Sequence, residues 1–557
     1  MLRNTRAAAA RDFASRHHGP PVTPPLSGKT HIQFAGGANF LRNSARPMKR
    51  LPSVGRFPCI SHCHSFRPPL SRFQTGTILP PRLFTVNVPL SVSLRWSLLA
   101  LTLGLPATTW SAVHAVDSIA ALQSRLQTAA PGDTITVSNG VYQTSGPIQV
   151  RRGGQPEMPI TIAAESVGGV EIAGTHGFIV TPPAAHVVIS GFKFTHAAGR
   201  TSIGAGTSHV RFTRNTFLCS GEGAYLSVLG DDAEIDFNEF AEKKMLGNMI
   251  AIAGTGSQIA RRLWIHHNYF RDFTSLGGVG AEMIRYGLTA VSLSSGAGIV
   301  EHNLFVRCRG ESALISNRAT GITYRYNTFF DSGSAQFTLR HGNECRVYGN
   351  YFKAIEAVRI YGDRHQVHSN YLEGNYIGIA LGNGSGEVAD GAPLNGHDRP
   401  DDCLIIFNTL VENRTHYQMS RRAGEALGAT RTVFANNLMV GGATAAKIEG
   451  PYTDGVWSSN LAWSVASPGD LPADYIKTDP LLSPDESGIM RPKEGSPALG
   501  AAVATFPTVS VDLDGQARPT SMSIGADEVS PTPISARWLT AKDVGPLAGL
   551  ADETTAR

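Results

Sequence analysis

Residues 321–352 read GITYRYNTFFDSGSAQFTLRHGNECRVYGNYF and contain one short pattern twice. In both copies, alternating apolar and polar residues lead to Asn, any residue and Phe, at Asn327 with Phe329 and at Asn350 with Phe352. Alternation with a period of two is typical of β-strands, and neither copy has the period of an amphipathic helix. The stretch therefore predicts short strands that repeat about every 23 residues.

The same pattern recurs along the chain at intervals of 20 to 38 residues. A repeat of this length with strand-type alternation is typical of solenoids. We expect Phe and Leu at one phase to fill the interior, and Asn at the neighbouring phase to sit at a bend and bond adjacent coils. The sequence thus predicts an all-β fold, a single-stranded right-handed parallel β-helix. The other copies are Asn215 with Phe217, Asn238 with Phe240, Asn268 with Phe270, Asn303 with Phe305, Asn370 with Leu372, Asn408 with Leu410 and Asn436 with Leu438.

The ends of the repeat region predict the domain limits. Residues 117–129, DSIAALQSRLQTA, form an amphipathic helix that we expect to cap the solenoid, with Asp117 or Ser118 as its N-cap. The β-helix domain is predicted over 116–464. Residues 465–557 lose the repeat and gain Pro and Gly, so we predict a loop-rich segment packed on the last coils. The Gly- and Asp-rich residues 383–402 predict a long loop over one edge of the binding face.

The net charge of +5 hides an uneven distribution. Residues 1–95 contain 14 Lys or Arg and one acid, Asp12, so residues 96–557 have 35 basic and 43 acidic residues and a net charge of −8. A polyanionic partner must therefore meet a local basic patch on the folded part.

The N-terminal region predicts export. Residues 1–94 are rich in Pro, Arg and Ser without apolar periodicity, so we interpret them as a disordered leader or as an upstream stretch included by an early start codon. In residues 95–115 an Arg, a short apolar run and small residues follow one another, which predicts a signal peptide cut near Ala115. We expect a secreted or periplasmic protein without a membrane anchor. A transit peptide is the alternative.

Cysteine spacing predicts neither a zinc site nor a dense disulfide framework, because no Cys-x-x-Cys pair follows the leader. We expect mainly buried free thiols. The four cysteines concerned are Cys219, Cys308, Cys345 and Cys403.

Three polar residues recur at nearly equal phase on consecutive coils. Arg318, Arg340 and Tyr361 lie nine, ten and nine residues before the Asn of their coils. Equal phase predicts side chains stacked about 5 Å apart on one face, and Arg359 joins them because it lies two residues before Tyr361. Guanidinium groups at that spacing repel one another unless an anion lies among them, and their fork suits carboxylates. The pattern favours an acidic polysaccharide over nucleic acid as partner, with a surface ladder paired to nearby acids as the alternative.

The same residues belong to segments that resemble polysaccharide lyase family 6, which contains alginate lyases and the related chondroitinase B. The resemblance covers most of residues 117–440. Its motifs are FAEKKMLGN at 240–248, HHNYF at 266–270, GGVGAEMIRYG at 277–287, GES at 310–312 with Arg318, YRYNTF at 324–329, LRHG at 339–342 and RIYGDRH at 359–365.

The resemblance implies β-elimination at a uronic acid, in which a base removes the C5 proton, the carboxylate is neutralised and O4 leaves with a proton. The family uses Lys as base and Arg as acid. The acid matches Arg340, and His341 and Gly342 follow it as in the family. The base falls on Arg318, whose guanidinium does not readily take a proton.

The family also holds a calcium ion with Asn and Glu side chains. Those positions fall on Val279, Ala313 and Glu311, and only Glu311 supplies an oxygen ligand from its side chain. Calcium needs several oxygen ligands. We therefore expect that the calcium site is lost and that no cofactor is needed.

These matches give a hypothesis for the site. We expect Arg318 to neutralise the sugar carboxylate in place of the ion, and Tyr361 or His341 to take the proton. Lys243 matches a family Lys about three coils away and is assigned to a distant sugar subsite. The predicted substrate-binding residues are Lys243, Arg359, Arg285 and Tyr324.

The leading functional prediction is a monomeric polysaccharide lyase that cleaves a uronate polymer, most readily alginate. One alternative is a uronan-binding β-helix protein that has lost turnover, and another is a lyase of dermatan or chondroitin type. A C5-epimerase or a hydrolase is the third. A hydrolase needs paired carboxylates, which the arginine column does not supply, although Glu311 and Asp363 lie nearby.

Overall fold

The computed structural model of the chain describes residues 111–274, 279–422, 424, 426–503 and 506–550. The predicted leader and the predicted signal peptide up to residue 110 lie outside the described residues. Within them, no helix is long and apolar enough to cross a membrane. The four cysteines that follow the leader are buried and free, as predicted.

Each complete coil contributes one short strand to each of three parallel sheets, which we call A, B and C in the order in which the chain visits them. Among the residues that the structure describes, the sheets contain 14, 13 and 13 strands, and neighbouring strands come from successive coils. This arrangement is a parallel β-helix, so the predicted fold class is confirmed.

The strand bounds follow chain order within each sheet. Sheet A consists of Val113–Val116, Thr134–Val137, Ile160–Ala164, Ala185–Ser190, Ser208–Thr213, Glu234–Asp236, Trp264–His266, Ile299–Glu301, Thr323–Arg325, Arg346–Tyr348, Gln366–His368, Leu404–Ile406, Val433–Ala435 and Val456–Ser458. Sheet B consists of Gly140–Thr144, Val170–Gly174, Phe192–Phe194, Thr216–Phe217, Glu239–Ala241, Tyr269–Thr274, Leu304–Arg309, Thr328–Phe330, Tyr351–Lys353, Tyr371–Glu373, Thr409–Val411, Leu438–Val440 and Leu461–Trp463. Sheet C consists of Ile148–Val150, Phe178–Val180, Ser202–Ile203, Leu226–Val228, Ile250–Ile252, Ile284–Gly287, Ala313–Arg318, Gln336–His341, Ala357–Ile360, Ile377–Leu381, Thr415–Met419, Thr444–Ile448 and Ser467–Gly469. Short pairs outside them are Gly254–Thr255 with Gln258–Ile259, Ala429–Thr430 with Tyr452–Thr453, and Leu482–Pro484 with Met490–Pro492, and a 3-10 turn spans Thr289–Val291.

The predicted N-terminal helix spans Ile119–Thr128, and Ser118 is its N-cap, since its Oγ accepts from the backbone N–H of Ala121 at 3.2 Å. Its apolar face is buried at Leu122 and Leu126. The strand Val113–Val116 precedes it in sheet A, so the predicted end of the signal peptide at Ala115 falls inside a strand of the first coil.

The repeat Phe residues stack in the interior, as the sequence predicts. From Phe217 to Phe352 the ring centroids of successive coils are 4.6 to 5.1 Å apart. That distance matches the spacing of hydrogen-bonded strands, about 4.8 Å, so each ring covers the next without a gap.

The repeat Asn residues form a buried ladder at the turn from sheet A to sheet B. Asn327 is typical, since its backbone N–H and its Nδ2 both donate to Oδ1 of Asn350 at 3.0 Å, and its Nδ2 also donates to the Val300 carbonyl. The residue before the Asn, here Tyr326, has the positive φ, 56°. The bend is thus made one residue earlier than the sequence suggests, and Asn bonds the neighbouring coils.

The ladder corrects one predicted repeat position. Its member in that coil is Asn437, which donates to Oδ1 of Asn460, and not Asn436. Asn436 lies at the preceding positive-φ position and exchanges hydrogen bonds with the backbone of Val503. Two consecutive Asn residues made the phase ambiguous in the sequence.

The loop-rich C-terminal segment runs back along the outside of the β-helix and extends well beyond the last coils, on which we predicted it to pack. From Gly525 to Gly545, later residues touch earlier coils, whereas Asp514 already touches the coil of Tyr351. The contacts are Gly525 N–H to the Asn436 carbonyl, Tyr351 Oη to Asp514, Leu539 N–H to Thr328 Oγ, and Gly545 N–H to the His267 carbonyl, at 2.9 to 3.1 Å.

We expect Asn327→Ala to lower the free energy of unfolding by about 2 to 5 kcal/mol, because it leaves the Asn303 N–H and the Val300 carbonyl buried without their partners. Urea unfolding followed by circular dichroism measures this. Asn395→Ala, on an exposed loop position, serves as control with a change within about 0.5 kcal/mol. Equal urea midpoints for the two variants would contradict a stabilising ladder.

Candidate active site on the outer face of sheet C

Four arginines lie on the outer face of sheet C, on four successive coils. Arg285 and Arg359 follow the fully buried Ile284 and Val358, so their side chains point away from the core. Arg318 and Arg340 follow fully buried residues in the same way. All four are half-buried. The face therefore concentrates positive charge in a protein whose folded part is acidic overall.

The predicted column of Arg318, Arg340 and Tyr361 is present with one irregularity. Tyr361 is level with Arg340, because Ile360 pairs with Leu339. Arg318 pairs with His341, because the register shifts by one residue after Asn317. Such a bulge adds a residue to one strand and re-aims its side chains, and here it places both Arg340 and His341 beside Arg318.

A buried carboxylate lies against Arg318. Oε1 of Glu282 is 3.2 Å from Nη2 of Arg318, and Oε2 of Glu282 accepts from Asn248 Nδ2 at 2.6 Å. The Glu282 side chain is 1% exposed and that of Arg318 is 22% exposed. The ion pair fixes the Arg318 guanidinium on one side and leaves part of it exposed on the outer face of sheet C.

Glu311 and Arg340 complete the charged cluster. Oε2 of Glu311 accepts from the backbone N–H groups of Gly280 and Ala281. Burial, followed by repulsion from Glu282, raises the pKa of Glu311. Burial, followed by repulsion from Arg318, lowers the pKa of Arg340. The pKa values of Glu311 and Arg340 thus depend on neighbouring charges, and an additional anion or cation would change them.

A calcium ion does not fit this arrangement. Among the oxygens of Glu282 and Glu311, three already accept hydrogen bonds, and the donor to one of them is the Arg318 guanidinium. Val279, at the matched position of the family Asn, is 89% exposed. A cation would have to displace Arg318 from Glu282 to gain the several oxygens that calcium requires.

Three aromatic rings stack beside the arginines. His397, from the loop 383–402, lies over Tyr361 with ring centroids 4.5 Å apart and over His341 at 5.5 Å. Tyr361 is 1% exposed and His341 is 4% exposed, whereas His397 is partly exposed. The loop thus crosses the edge of the face, as the sequence predicts, and covers two candidate bases.

Tyr361 is also held from the side. Its Oη accepts a hydrogen bond from Arg359 and another from Nη1 of Arg422 at 3.1 Å. The position level with Tyr361 on the next coil is Gly382, whose missing side chain leaves room for the ring, since a Cβ there would lie 2.1 Å from it. Tyr361 is therefore a packed element of the site in this structure.

Two predicted substrate-binding residues are wrong. Tyr324 lies in sheet A with its side chain in the core, where Oη donates to Asn317 Oδ1 at 2.9 Å. Lys243 is 1% exposed, its Nζ donates to the Gly223 carbonyl, and burial lowers its pKa to about 8. Both matched family motifs in sequence, but neither can touch a polysaccharide because their polar ends are bonded inside the protein.

The sequence analysis missed Glu282, Asn248, His397 and Arg422. Glu282 can be found by coil register: Ile284 pairs with Ile315, so Glu282 is level with Ala313, where the family has a Glu. Glu282 therefore lies on the coil before Ala313, at the level of that residue. His397 and Arg422 lie in connections between coils, whose course the repeat does not predict.

The comparisons with known proteins agree with this fold. A family model described as Chondroitinase B matches residues 116–447. The PL6 family alginate lyase AlyGC is 23% identical with a TM-score of 0.60, and the match covers 76% of this chain and 59% of that one. This chain therefore spans about three-fifths of AlyGC.

Two further solved structures match. Alginate lyase AlyF-OU02, solved as a complex with G6, is 20% identical with a TM-score of 0.58, covering 69% of this chain and 91% of that one. A mannuronic acid specific family 6 lyase from human gut microbiota is 23% identical with a TM-score of 0.52, covering 60% and 83%. No curated protein sequence matches.

We expect His341 to remain uncharged down to acidic pH. Burial, followed by the charges of His397 and the two nearest arginines, lowers its pKa to about 3. An unfolded His has a pKa of about 6.5, so below that pH the unfolded state binds a proton that the folded state does not, and stability falls as pH decreases. In His341→Gln, the loss of unfolding free energy between pH 7 and pH 5 should be smaller by about 2 kcal/mol. A His341 resonance that titrates near 6.5 by NMR would refute this.

Proposed function

Because the chain belongs to the Chondroitinase B family of polysaccharide lyases, we propose that it cleaves a uronate-containing polymer, most readily alginate, by β-elimination. Solved relatives described as alginate lyases support the substrate class. The reaction needs concentrated positive charge, since a proton next to an ionised carboxylate is otherwise very weakly acidic.

The observation that carries the proposal is a set of guanidinium donors without acceptors. The Nε atoms of Arg285 and Arg340 are buried and have no hydrogen-bond partner among the described residues. Buried donors of this kind are rare in folded proteins and indicate a ligand or a strained site. Carboxylates along a uronan supply acceptors at the repeating distance of the sugars, and the guanidinium fork suits them.

The arrangement suggests distinct roles for the arginines of the face. Arg318, fixed by Glu282, would bind the carboxylate of the sugar that reacts and neutralise the charge that develops as C5 loses its proton. Arg340, next to it on the bulge, would donate the proton to the departing O4. Arg285 and Arg359 would bind carboxylates of neighbouring sugars on either side.

We expect the purified protein to release unsaturated uronates from alginate, detected by their ultraviolet absorbance. Arg340→Ala should lower kcat by about a hundredfold or more because the acid is lost. Arg261→Ala is the matched control, since Arg261 is an exposed arginine paired with Asp231 away from sheet C. Dermatan sulfate and chondroitin sulfate tested in parallel decide between substrate types. Turnover of none of the three polymers would overturn the proposal.

A second candidate is a protein that binds uronans without turnover. The specific observation in its favour is the burial of both predicted bases, His341 and Tyr361, together with the guanidinium at position 318 in place of an amine. Retention on immobilised alginate without unsaturated product supports this reading. New reducing ends without the ultraviolet band would indicate a hydrolase instead.

We expect turnover to survive removal of divalent cations. Arg318 occupies the side of Glu282 that a cation would need, so dialysis against EDTA should leave kcat within about twofold of its value, and added calcium should not raise the thermal midpoint. An inactive dialysed enzyme that calcium restores would show that Asn248, Glu282 and Glu311 hold an ion after all.

A further inference from the structure

The proposed elimination leaves one role without a residue, the group that removes the C5 proton. That group must touch the substrate, since proton transfer requires contact at about 2.6 to 3.2 Å between heavy atoms or one intervening water. His341 and Tyr361 are 4% and 1% exposed and lie under the loop 383–402. The arginines of the face enter the reaction protonated and cannot accept a proton. An exposed neutral base carried by another element would meet these requirements.

We propose that His397, carried by the loop 383–402, removes the C5 proton. This inference rests on the proposed lyase function and adds a catalytic residue to it. His397 is the partly exposed ring of the stack, and it lies directly over both buried candidates. Imidazole as a class can accept a proton near neutral pH, in contrast to the guanidinium groups of the face.

The loop holds His397 in place from both sides. The His397 N–H donates to Ser385 Oγ at 2.9 Å, and its carbonyl accepts from the Ser385 N–H at 2.8 Å. The next residue, Asp398, accepts from the N–H groups of Val388 and Ala389 at 2.7 and 3.0 Å. A ring on such a bonded turn is preorganised for proton transfer.

The loop is also tied to the coils beneath and beside it. The Gly362 N–H donates to the Asp398 carbonyl at 3.2 Å, which fixes the loop directly after Tyr361. Gly384 exchanges two backbone hydrogen bonds with Leu427, at 2.7 and 3.1 Å. Leu427 lies in the connection that also carries Arg422. His397 is therefore positioned by the same contacts that bury Tyr361.

The step balances without a further reactant. A ring nitrogen of His397 takes the C5 proton, the electron pair of the C5–H bond forms the C4=C5 double bond, and the C4–O4 bond breaks. O4 receives a proton from Arg340, and water restores both groups after product release. Arg318 binds the carboxylate throughout, so the charge that develops on the sugar has a fixed partner.

The charged and titratable groups that face His397 come from several elements. His341 and Tyr361 stack on it, and their strands carry Arg340 and Arg359. Its own loop carries Glu387, Asp398 and Arg399, and the adjacent connection brings Arg422 to Tyr361.

The test compares two substitutions that differ in what they preserve. His397→Phe keeps a ring to stack on Tyr361 and cannot accept a proton, whereas His397→Ala leaves a cavity. Both should lower kcat by about a hundredfold to ten-thousandfold, with alginate retention and thermal midpoint close to wild type. Free imidazole should restore part of the turnover of His397→Ala and none of that of His397→Phe. His186→Ala is the control, since His186 is a partly exposed ring stacked on His209 in sheet A.

The outcomes separate the two proposals. Wild-type turnover with unchanged kcat in His397→Phe overturns the role of His397 and leaves the lyase function standing. A fall in kcat for His397→Ala alone, with no rescue by imidazole, shows that the ring acts through packing and overturns the inference as well. Absence of product from the wild type overturns both.

Discussion

The whole structure depends on the hydrogen bonds that stack one coil on the next in register. In the Asn ladder, the Oδ1 of each Asn accepts hydrogen bonds from the backbone N–H and the Nδ2 of the Asn in the preceding coil, so the turn from sheet A to sheet B is fixed at the same point in every coil from Asn215 to Asn460. Because each strand is only a few residues long, a slip of one residue would turn the interior Phe stack outward. The ladder opposes that slip, because the slip would leave buried amide groups without their hydrogen-bond partners.

A fixed register converts a sequence period into columns of charge. Residues at one phase on successive coils lie about 4.8 Å apart whatever their chemistry, so Arg318 and Arg340 lie side by side. Arg285 and Arg359 share a second column, with Ser316 and Thr338 between them. The mutual repulsion of the four arginines is offset by Glu282 and Glu311, which lie on the same two coils as Arg285 and Arg318. Burial, followed by repulsion from Glu282, raises the pKa of Glu311, and burial, followed by repulsion from Arg318, lowers the pKa of Arg340. In the proposed function, the carboxylates of a bound uronate would add negative charge beside these arginines.

The repeat period predicts the features that recur in every coil, and it does not predict the bulge and the loops that interrupt the repeat. Strand phase, the interior Phe stack and the outward direction of Arg318 and Arg340 follow from spacing alone. The bulge after Asn317 adds one residue and cannot be read from a repeat that already varies between 20 and 38 residues. Tyr324 matches a family motif, but the phase of its strand directs its side chain into the core. Position Tyr324 pairs with Val300 and Val347, both fully buried, and the alternation already implied an inward side chain.

The long connection between two coils explains how a site can change its chemistry while the columns stay constant. In the proposed mechanism, side chains on the strands are constrained by stacking, so no other strand residue can move into the place of the family Lys that Arg318 would replace. The loop 383–402 is free of that stacking constraint, since its twenty residues belong to no strand of sheets A, B and C. It places an imidazole over the bulge, where Arg318, Arg340 and His341 meet. A strand supplies the charge that a uronate needs, and a loop supplies the group that no strand position there can offer.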